Sequence, residues 1–263
     1  MSDAGKKYDP HEYEAEFDPR RYLEEYYAML EIGEADQAIS QRAHHWLANN
    51  ERYFQRAIDI GSGPVIAYPF LFADRVEHLD FADYLPGNLA EIRKWLTGDT
   101  DAFNWDGMLG SMLRHLTGSA GDLARKKQRL RTVSRDLLHV DLCRPSILDV
   151  DRKYDLVTSF HCAECVARDR EDWKAMFQKI LGLAKPGGSF FFSIMKNAVR
   201  YQILGKWFPV TPLDESALLQ RLKELGIDDY EITTHACPEF ADSGFSEVLL
   251  VSGQLLEPTE MLR

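Results

Sequence analysis

Three acids and two glycines carry the first chemistry this chain suggests. Asp59-Ile60-Gly61-Ser62-Gly63-Pro64 closes a short apolar run that begins at Ala57, and glycines let a backbone approach a ligand with no Cβ in the way. Position 66 is Ile, so the third glycine of the G-x-G-x-x-G pattern is missing, and the turn alone could be a plain strand-to-helix connection. Asp83 follows Asp59 by 24 residues, near the ~20-residue spacing at which a carboxylate reaches a ribose diol. A carboxylate accepts hydrogen bonds from two vicinal hydroxyls; a neutral side chain does so less well. Asp80 competes for the same role, and either acid could instead be a strand cap. Asp141 falls where a carboxylate would read an adenine amino group, with the Leu142 amide beside it. Three strand-end acids around a glycine turn point to an adenosine-containing ligand.

These residues need a scaffold that brings strand ends together. Apolar runs at 57–60, 76–82, 137–142, 154–160, 189–195, 230–234 and 246–251 read as strands. Apolar residues at three- and four-residue steps read as helices over 20–56, 88–96, 122–138, 172–184 and 216–225. Strands alternating with helices, and two late strands at the end, predict an α/β, Rossmann-like, seven-stranded and mainly parallel sheet with helices on both faces. Ligands of such sheets bind outside the carboxyl ends of the strands at the switch point. No repeat or linker divides the chain. It is read as an N-terminal helical segment, 1–56, joined to a sheet domain, 57–263.

The composition narrows the function. In 263 residues, 31 basic against 42 acidic side chains give a net charge of −11, which argues against nucleic acid and anionic membranes as partners. Four cysteines are too few for a disulfide framework, and no leader-like or membrane-spanning apolar run is evident, so a cytoplasmic protein is expected. Cys162-x-x-Cys165 beside His161 invites a zinc reading, but a second ligand pair at metal-like spacing is missing and no metal is expected.

The chain resembles the nicotinamide, phenylethanolamine and thioether S-methyltransferase family, a branch of the class I S-adenosylmethionine-dependent methyltransferases. The resemblance is carried by Phe17-Asp18-Pro19-Arg20-Arg21-Tyr22-Leu23-Glu24-Glu25-Tyr26-Tyr27, by Ile58 to Pro64, and by Asp83-Tyr84 with Asn88-Leu89 and Lys94-Trp95-Leu96. It continues through Phe103-Asn104-Trp105 to Lys185-Pro186-Gly187-Gly188. It implies S-adenosyl-L-methionine as cofactor, S-adenosyl-L-homocysteine as product, and residues 1–56 as a lid over the active site. By match, Tyr22 and Tyr27 would fold over the methionine part of the cofactor, and Gly61, Ser62 and Gly63 would contact it through the turn. Asp83 and Asn88 would meet its ribose, Asp141 and Leu142 its adenine, Tyr84 would also contact it, and Phe160 and Cys162 would line it. A sulfonium is a cation that aromatic faces and phenolic oxygens stabilise, so the tyrosines make physical sense. Tyr26 reads instead as core-facing.

The acceptor region departs from the family. A strand-end acid that positions the acceptor is replaced by Met195, which disfavours nicotinamide. Met195, Asn197, Tyr201 and Phe245 are expected around the acceptor, while Lys196, Arg200 and Asn197 would suit one that carries a carboxylate. Tyr27, Glu164 and His161 are the catalytic candidates, the last two as a base where the acceptor needs deprotonation. The expected activity is methyl transfer to a small molecule, at nitrogen, by a monomer or weak homodimer. Two alternatives stand: cyclisation of the cofactor with release of methylthioadenosine, and a binding protein without catalysis.

Overall fold

Successive side chains of a strand point to opposite faces, so a strand covered on both sides needs apolar residues at consecutive positions. The computed structural model, which describes Glu14 and residues 17–256, has nine strands. They are β1 (Phe54–Ile60), β2 (Val76–Asp83), β3 (Ser134–His139), β4 (Tyr154–Phe160), β5 (Ala184–Met195), β6 (Arg200–Ile203), β7 (Lys206–Pro209), β8 (Asp229–Ala236) and β9 (Glu247–Gln254). Of these, β1, β2, β4, β5 and β9 are buried along most of their length. Seven of them form one sheet in the order β3-β2-β1-β4-β5-β9-β8; β6 and β7 pair as a separate hairpin. β1 to β5 are parallel, and β9 runs antiparallel to both β5 and β8. In β5, Phe191 enters the core on one face and Phe190 and Phe192 the core on the other. This is the expected α/β, Rossmann-like sheet.

The helices are α1 (Pro19–Tyr26), α2 (Glu34–Asn49), α3 (Ala67–Phe72), α4 (Pro86–Thr97), α5 (Asp106–Thr117), α6 (Leu123–Val133), α7 (Ala163–Val166), α8 (Arg170–Leu181) and α9 (Glu215–Glu224). Apolar residues of α2 to α6 share one core, and those of α8 and α9 the other. Local signals start and stop several of them. Asp18, Asp169 and Asp214 accept from the third residue on, capping α1, α8 and α9, and Gly98 ends α4 in the left-handed region at φ 72°.

The continuous helical reading of 20–56 fails in two places. The chain leaves helix at Tyr27 and re-enters it after Gly33, and Asn50 ends α2 in an extended conformation. Phe54 is already in β1, opposite Val76, so the expected boundary at 56 falls inside a strand. α2 lies on the sheet rather than over the site: the Arg42 guanidinium donates to Ser252 Oγ at 2.8 Å and pairs with Glu231 at 2.9 Å. Of the expected lid, α1 and the first turn of α2 reach the cleft; residues 1–13, 15 and 16, and 257–263 at the other end, lie outside the described residues. β3 also begins earlier than read, because Ser134 is extended and ends α6. α5 and the β6–β7 hairpin were not anticipated.

The chain goes outward from β1 to β3, then returns to β4 on the other side of β1, so the switch point lies between β1 and β4. α1 and the β6–β7 hairpin close over that point. Tyr22 packs on Phe17 and on Tyr26 with ring centroids 5.1 Å apart in each pair. The Leu204 amide in the hairpin turn donates to Tyr26 Oη at 3.1 Å. One phenol thus holds the two covering elements together. Tyr26→Phe is expected to speed amide exchange at Leu204 about tenfold, the equivalent of one hydrogen bond of ~1.4 kcal/mol. Exchange in β4 and β5 should not change; equal acceleration there would show that Tyr26 supports the whole fold instead.

Candidate active site

Parallel strands deliver their carboxyl ends to one edge, so the acids read from the sequence meet there. The glycine turn leaves β1 with Gly61 at φ 69° and Gly63 at φ 58°, conformations that side-chain-bearing residues rarely adopt. A Cβ on Gly61 would sit 2.1 Å from Cys162 Sγ, so the turn packs directly on the segment after β4. Asp83 at the end of β2 braces it: its Oδ2 accepts from the Gly63 amide at 2.7 Å, and its Oδ1 accepts from the Leu85 amide and from Asn88 Nδ2, each at 2.8 Å. Burial holds the Asp83 carboxyl above its ordinary pKa, and these three hydrogen bonds pull the other way. Asn88 Oδ1, beside it, is buried with no partner. A buried acceptor of this kind beside a carboxylate fits the paired hydroxyl donors of a ribose diol.

Asp80 is not part of this edge. It accepts from Tyr154 Oη at 3.0 Å and pairs with Arg152 at 3.2 Å, in the interior. The two acids face opposite sides of β2, and of the two Asp83 lines the cavity.

Around the turn is a cavity of about 340 Å³. Its wall includes Tyr22, Tyr27, Gly61, Ser62, Gly63, Asp83, Tyr84, Asn88, Asp141, Leu142, Phe160 and Cys162, all the residues expected at the cofactor. Tyr22 Oη and Tyr27 Oη are 3.4 Å apart, and Tyr27 is wedged against Trp105 at 5.4 Å between centroids. Burial pushes the Tyr22 pKa up to about 12 and that of Tyr27 well up, so both stay neutral and can donate. Met195, Tyr201, Phe245 and His161 also line the cavity. His161 adopts φ 50°, its Nδ1 is buried without a partner, and burial lowers its pKa to about 4. Its ring is neutral at physiological pH.

Two expected site residues do not reach the cavity. Glu164 is 1% exposed and accepts from the Met195 amide at 3.0 Å, on the side of β4 and β5 away from the opening. Its Oε1 lies 3.9 Å from His161 Nδ1, so it can act on a ligand only through that ring. Asn197 is exposed at φ 56°, its amide donating to the Leu213 carbonyl at 2.7 Å. The cations thought to suit an acceptor carboxylate are likewise engaged elsewhere. Lys196 pairs with Glu247 at 3.2 Å and Glu215 at 3.6 Å, and Arg200 lies 4.2 Å over the Trp207 ring.

The sequence reading missed Asp36, Tyr68 and Phe240, which also line the cavity. Asp36 sits in the first turn of α2, where an acid usually serves the helix dipole, and Tyr68 lies in a short helix of uniformly apolar neighbours. Neither carried a signal of its own.

Glycine cradle, orphaned acceptor and neutral phenols fit an adenosyl sulfonium on geometry alone. The fold and the site define a class I S-adenosylmethionine-dependent methyltransferase. Solved structures share the fold: the DhpI–SAM–HEP complex aligns with a TM-score of 0.55 at 16% identity over 89% of this chain and 92% of that one. The N-methyltransferase NodS from Bradyrhizobium japonicum WM9 with S-adenosyl-L-homocysteine aligns at 0.51 and 13% over 92% and 100%. In sequence, the indolethylamine N-methyltransferase of Mus musculus is 30% identical over 82% of this chain and 83% of its own length. The nicotinamide N-methyltransferase of Homo sapiens is 27% identical over 94% and 96%. The model of the NNMT/PNMT/TEMT family matches residues 5–245, and the chain belongs to that family.

The buried Glu164 yields a test of this geometry. Burial raises its pKa from 4.5 to about 7, so the folded state favours the protonated acid. The stability gained this way is complete below the unfolded value and is lost as pH rises through about 7. Glu164→Gln keeps an acceptor for the Met195 amide but never ionises. Its melting temperature relative to the unsubstituted protein should therefore climb between about pH 5 and about pH 8. A difference that stays flat across that range would place Glu164 in a solvated setting.

Proposed function

We propose that this methyltransferase acts on the nitrogen of a small, uncharged amine or nitrogen heterocycle. The observation that carries the reading is the make-up of the cavity wall. Among the described residues it holds the acids Glu25, Asp36, Asp59, Asp83 and Asp141 and no lysine or arginine. Such a wall favours a cation over an anion, and the donor is a sulfonium. The acceptor end, formed by Cys165, Met195, Tyr201 and Phe245, is apolar and aromatic. An uncharged acceptor pays least to enter it, and a free nitrogen lone pair is what attack on a methyl group requires.

Bound S-adenosylmethionine supplies an electrophilic methyl group on a sulfonium. The residues of this chain then have distinct tasks. Asp83 and Asn88 Oδ1 accept from the ribose hydroxyls, and Asp141 and the Leu142 amide read the adenine edge with Tyr84 alongside. Gly61, Ser62 and Gly63 let the backbone close in, Phe160 and Cys162 form the floor, and Tyr22 and Tyr27 cover the charged end. The neutral His161 ring lines the cavity and can orient an attacking N–H by accepting its hydrogen bond, while the proton released after methylation passes to solvent, because a ring with its pKa lowered to about 4 does not retain it. What remains is alignment of nucleophile and methyl in a dry cleft, which is the main contribution a protein makes to such a displacement. The four thiols are free, and among the described residues no helix is long and apolar enough to cross a membrane; both suit a reducing cytoplasmic setting.

The test is product analysis with a methyl-labelled donor and a panel of uncharged amines and heterocycles. S-adenosylhomocysteine should form in step with a methylated nitrogen. Methylthioadenosine would mark cyclisation, and tight binding without turnover would mark a binding protein. In the same assays, Asp83→Ala should weaken S-adenosylhomocysteine by ~1–3 kcal/mol, the cost of unpaired hydroxyls. Unchanged affinity by calorimetry would remove the ribose from this edge.

A further inference from the structure

Asp36 has no task in the mechanism above, yet it is one of the more costly groups in the cleft. It is 7% exposed and lines the cavity. Its Oδ1 accepts from Tyr68 Oη at 2.8 Å, and Tyr68 is the only side-chain partner of this carboxylate among the described residues. Tyr68 is itself pinned, its ring stacked on Phe160 at 4.5 Å and 25°. Nearby, Glu239 Oε1 accepts from the Ala35 amide at 3.0 Å, which adds negative charge rather than relieving it. Burial and Glu239 together push the Asp36 pKa up to about 6. A carboxylate withdrawn from water beside a second acid, with no counter-ion, is a site that lacks a cation.

Its position selects which cation. Along the sheet edge, Asp141 lies beyond β3, Asp83 ends β2 and the glycine turn follows β1. Base and ribose therefore occupy the β3 and β2 end. The next stretch, over β1 and β4, is where Tyr68 on α3 and Phe160 at the tip of β4 hold Asp36. Met195, Tyr201 and Phe245 gather around the end of β5, Tyr201 also packing with Tyr22, and Phe245 against the core that holds Tyr27. With base and ribose at the β3 and β2 end, Asp36, held by Tyr68 over β1 and β4, falls beyond the ribose on the side where the amino-acid portion of the donor would lie. Tyr22 and Tyr27, whose hydroxyls feel its charge, are at that same end.

We propose that the Asp36 carboxylate accepts hydrogen bonds from the α-ammonium group of the donor's amino-acid portion, with Tyr68 fixing its orientation. The cleft then reads that portion as a zwitterion: neutral phenols offer donors to its carboxylate, and Asp36 offers an anion to its ammonium. The assignment rests on the donor reading given above.

Calorimetry with three probes tests it. Asp36→Asn should weaken S-adenosylhomocysteine tenfold or more and leave methylthioadenosine, which has no amino-acid portion, within twofold. The desamino analogue of S-adenosylhomocysteine should bind the variant and the unsubstituted protein within twofold of each other, closing a cycle that isolates the ammonium. Equal loss on all three probes, or equal loss on the desamino analogue, would assign Asp36 a structural role, and no loss on S-adenosylhomocysteine would remove it from the site. If Asp36→Asn does not fold, Asp36→Ser gives the same contrast. An unsubstituted protein that binds none of the probes overturns the donor reading itself, and the Asp36 assignment falls with it.

Discussion

Carboxylates set around an apolar cavity repel one another, and of those in this wall, among the described residues, only Glu25, 3.9 Å from Arg21, has a basic partner. Burial makes the repulsion costly for two of them, raising Asp59 to about 7 and Asp36 to about 6. Others relieve it by hydrogen bonding, as Asp83 does with two amides and a side-chain amide. Among the described residues the cavity wall holds no lysine or arginine. A cationic ligand would offset the repulsion among these acids on binding.

The rest of the architecture serves this arrangement. The parallel sheet brings the ends of β1, β2 and β4 to one edge, and the positive φ at Gly61 and Gly63 lets the turn fold back against Asp83 and Cys162. α1 and the hairpin of β6 and β7 shield the charged region from water through Tyr22, Tyr27 and the Tyr26 to Leu204 bond. Shielding strengthens each interaction inside by lowering the local dielectric. It also leaves the acceptor end apolar, where a nucleophile is better neutral and unsolvated.

Much of this was legible in the sequence, for physical reasons. Apolar runs buried on two faces, as in β1, β4, β5 and β9, are hard to disguise, and the half-exposed β3 and β8 still kept enough apolar positions to read. All seven strands of the main sheet were therefore seen, and an acid after such a run must lie at the sheet edge. Spacing could not decide between Asp80 and Asp83, because alternation decides it: Asp80 turns to Tyr154 and Arg152, Asp83 to Gly63. Glu164 was misplaced for a similar reason. It lies three residues from His161, but the short α7 turns its carboxylate under Met195. Asp36 could not be found, since its pairing with Tyr68 joins positions 32 residues apart. α5 went unread although Met108, Leu109, Met112 and Leu113 are all buried, because the segment lies between glycine-bearing stretches that suggest loops.

The central claim is that the cleft selects positive charge on the far side of an adenosine. ATP carries the same adenosine with an anionic tail, so a competition between it and S-adenosylmethionine isolates the charge. Titration calorimetry should show S-adenosylmethionine binding at least ~100-fold more tightly than ATP, a difference of ~2.7 kcal/mol or more. Comparable affinities, or preference for the nucleotide, would contradict the account.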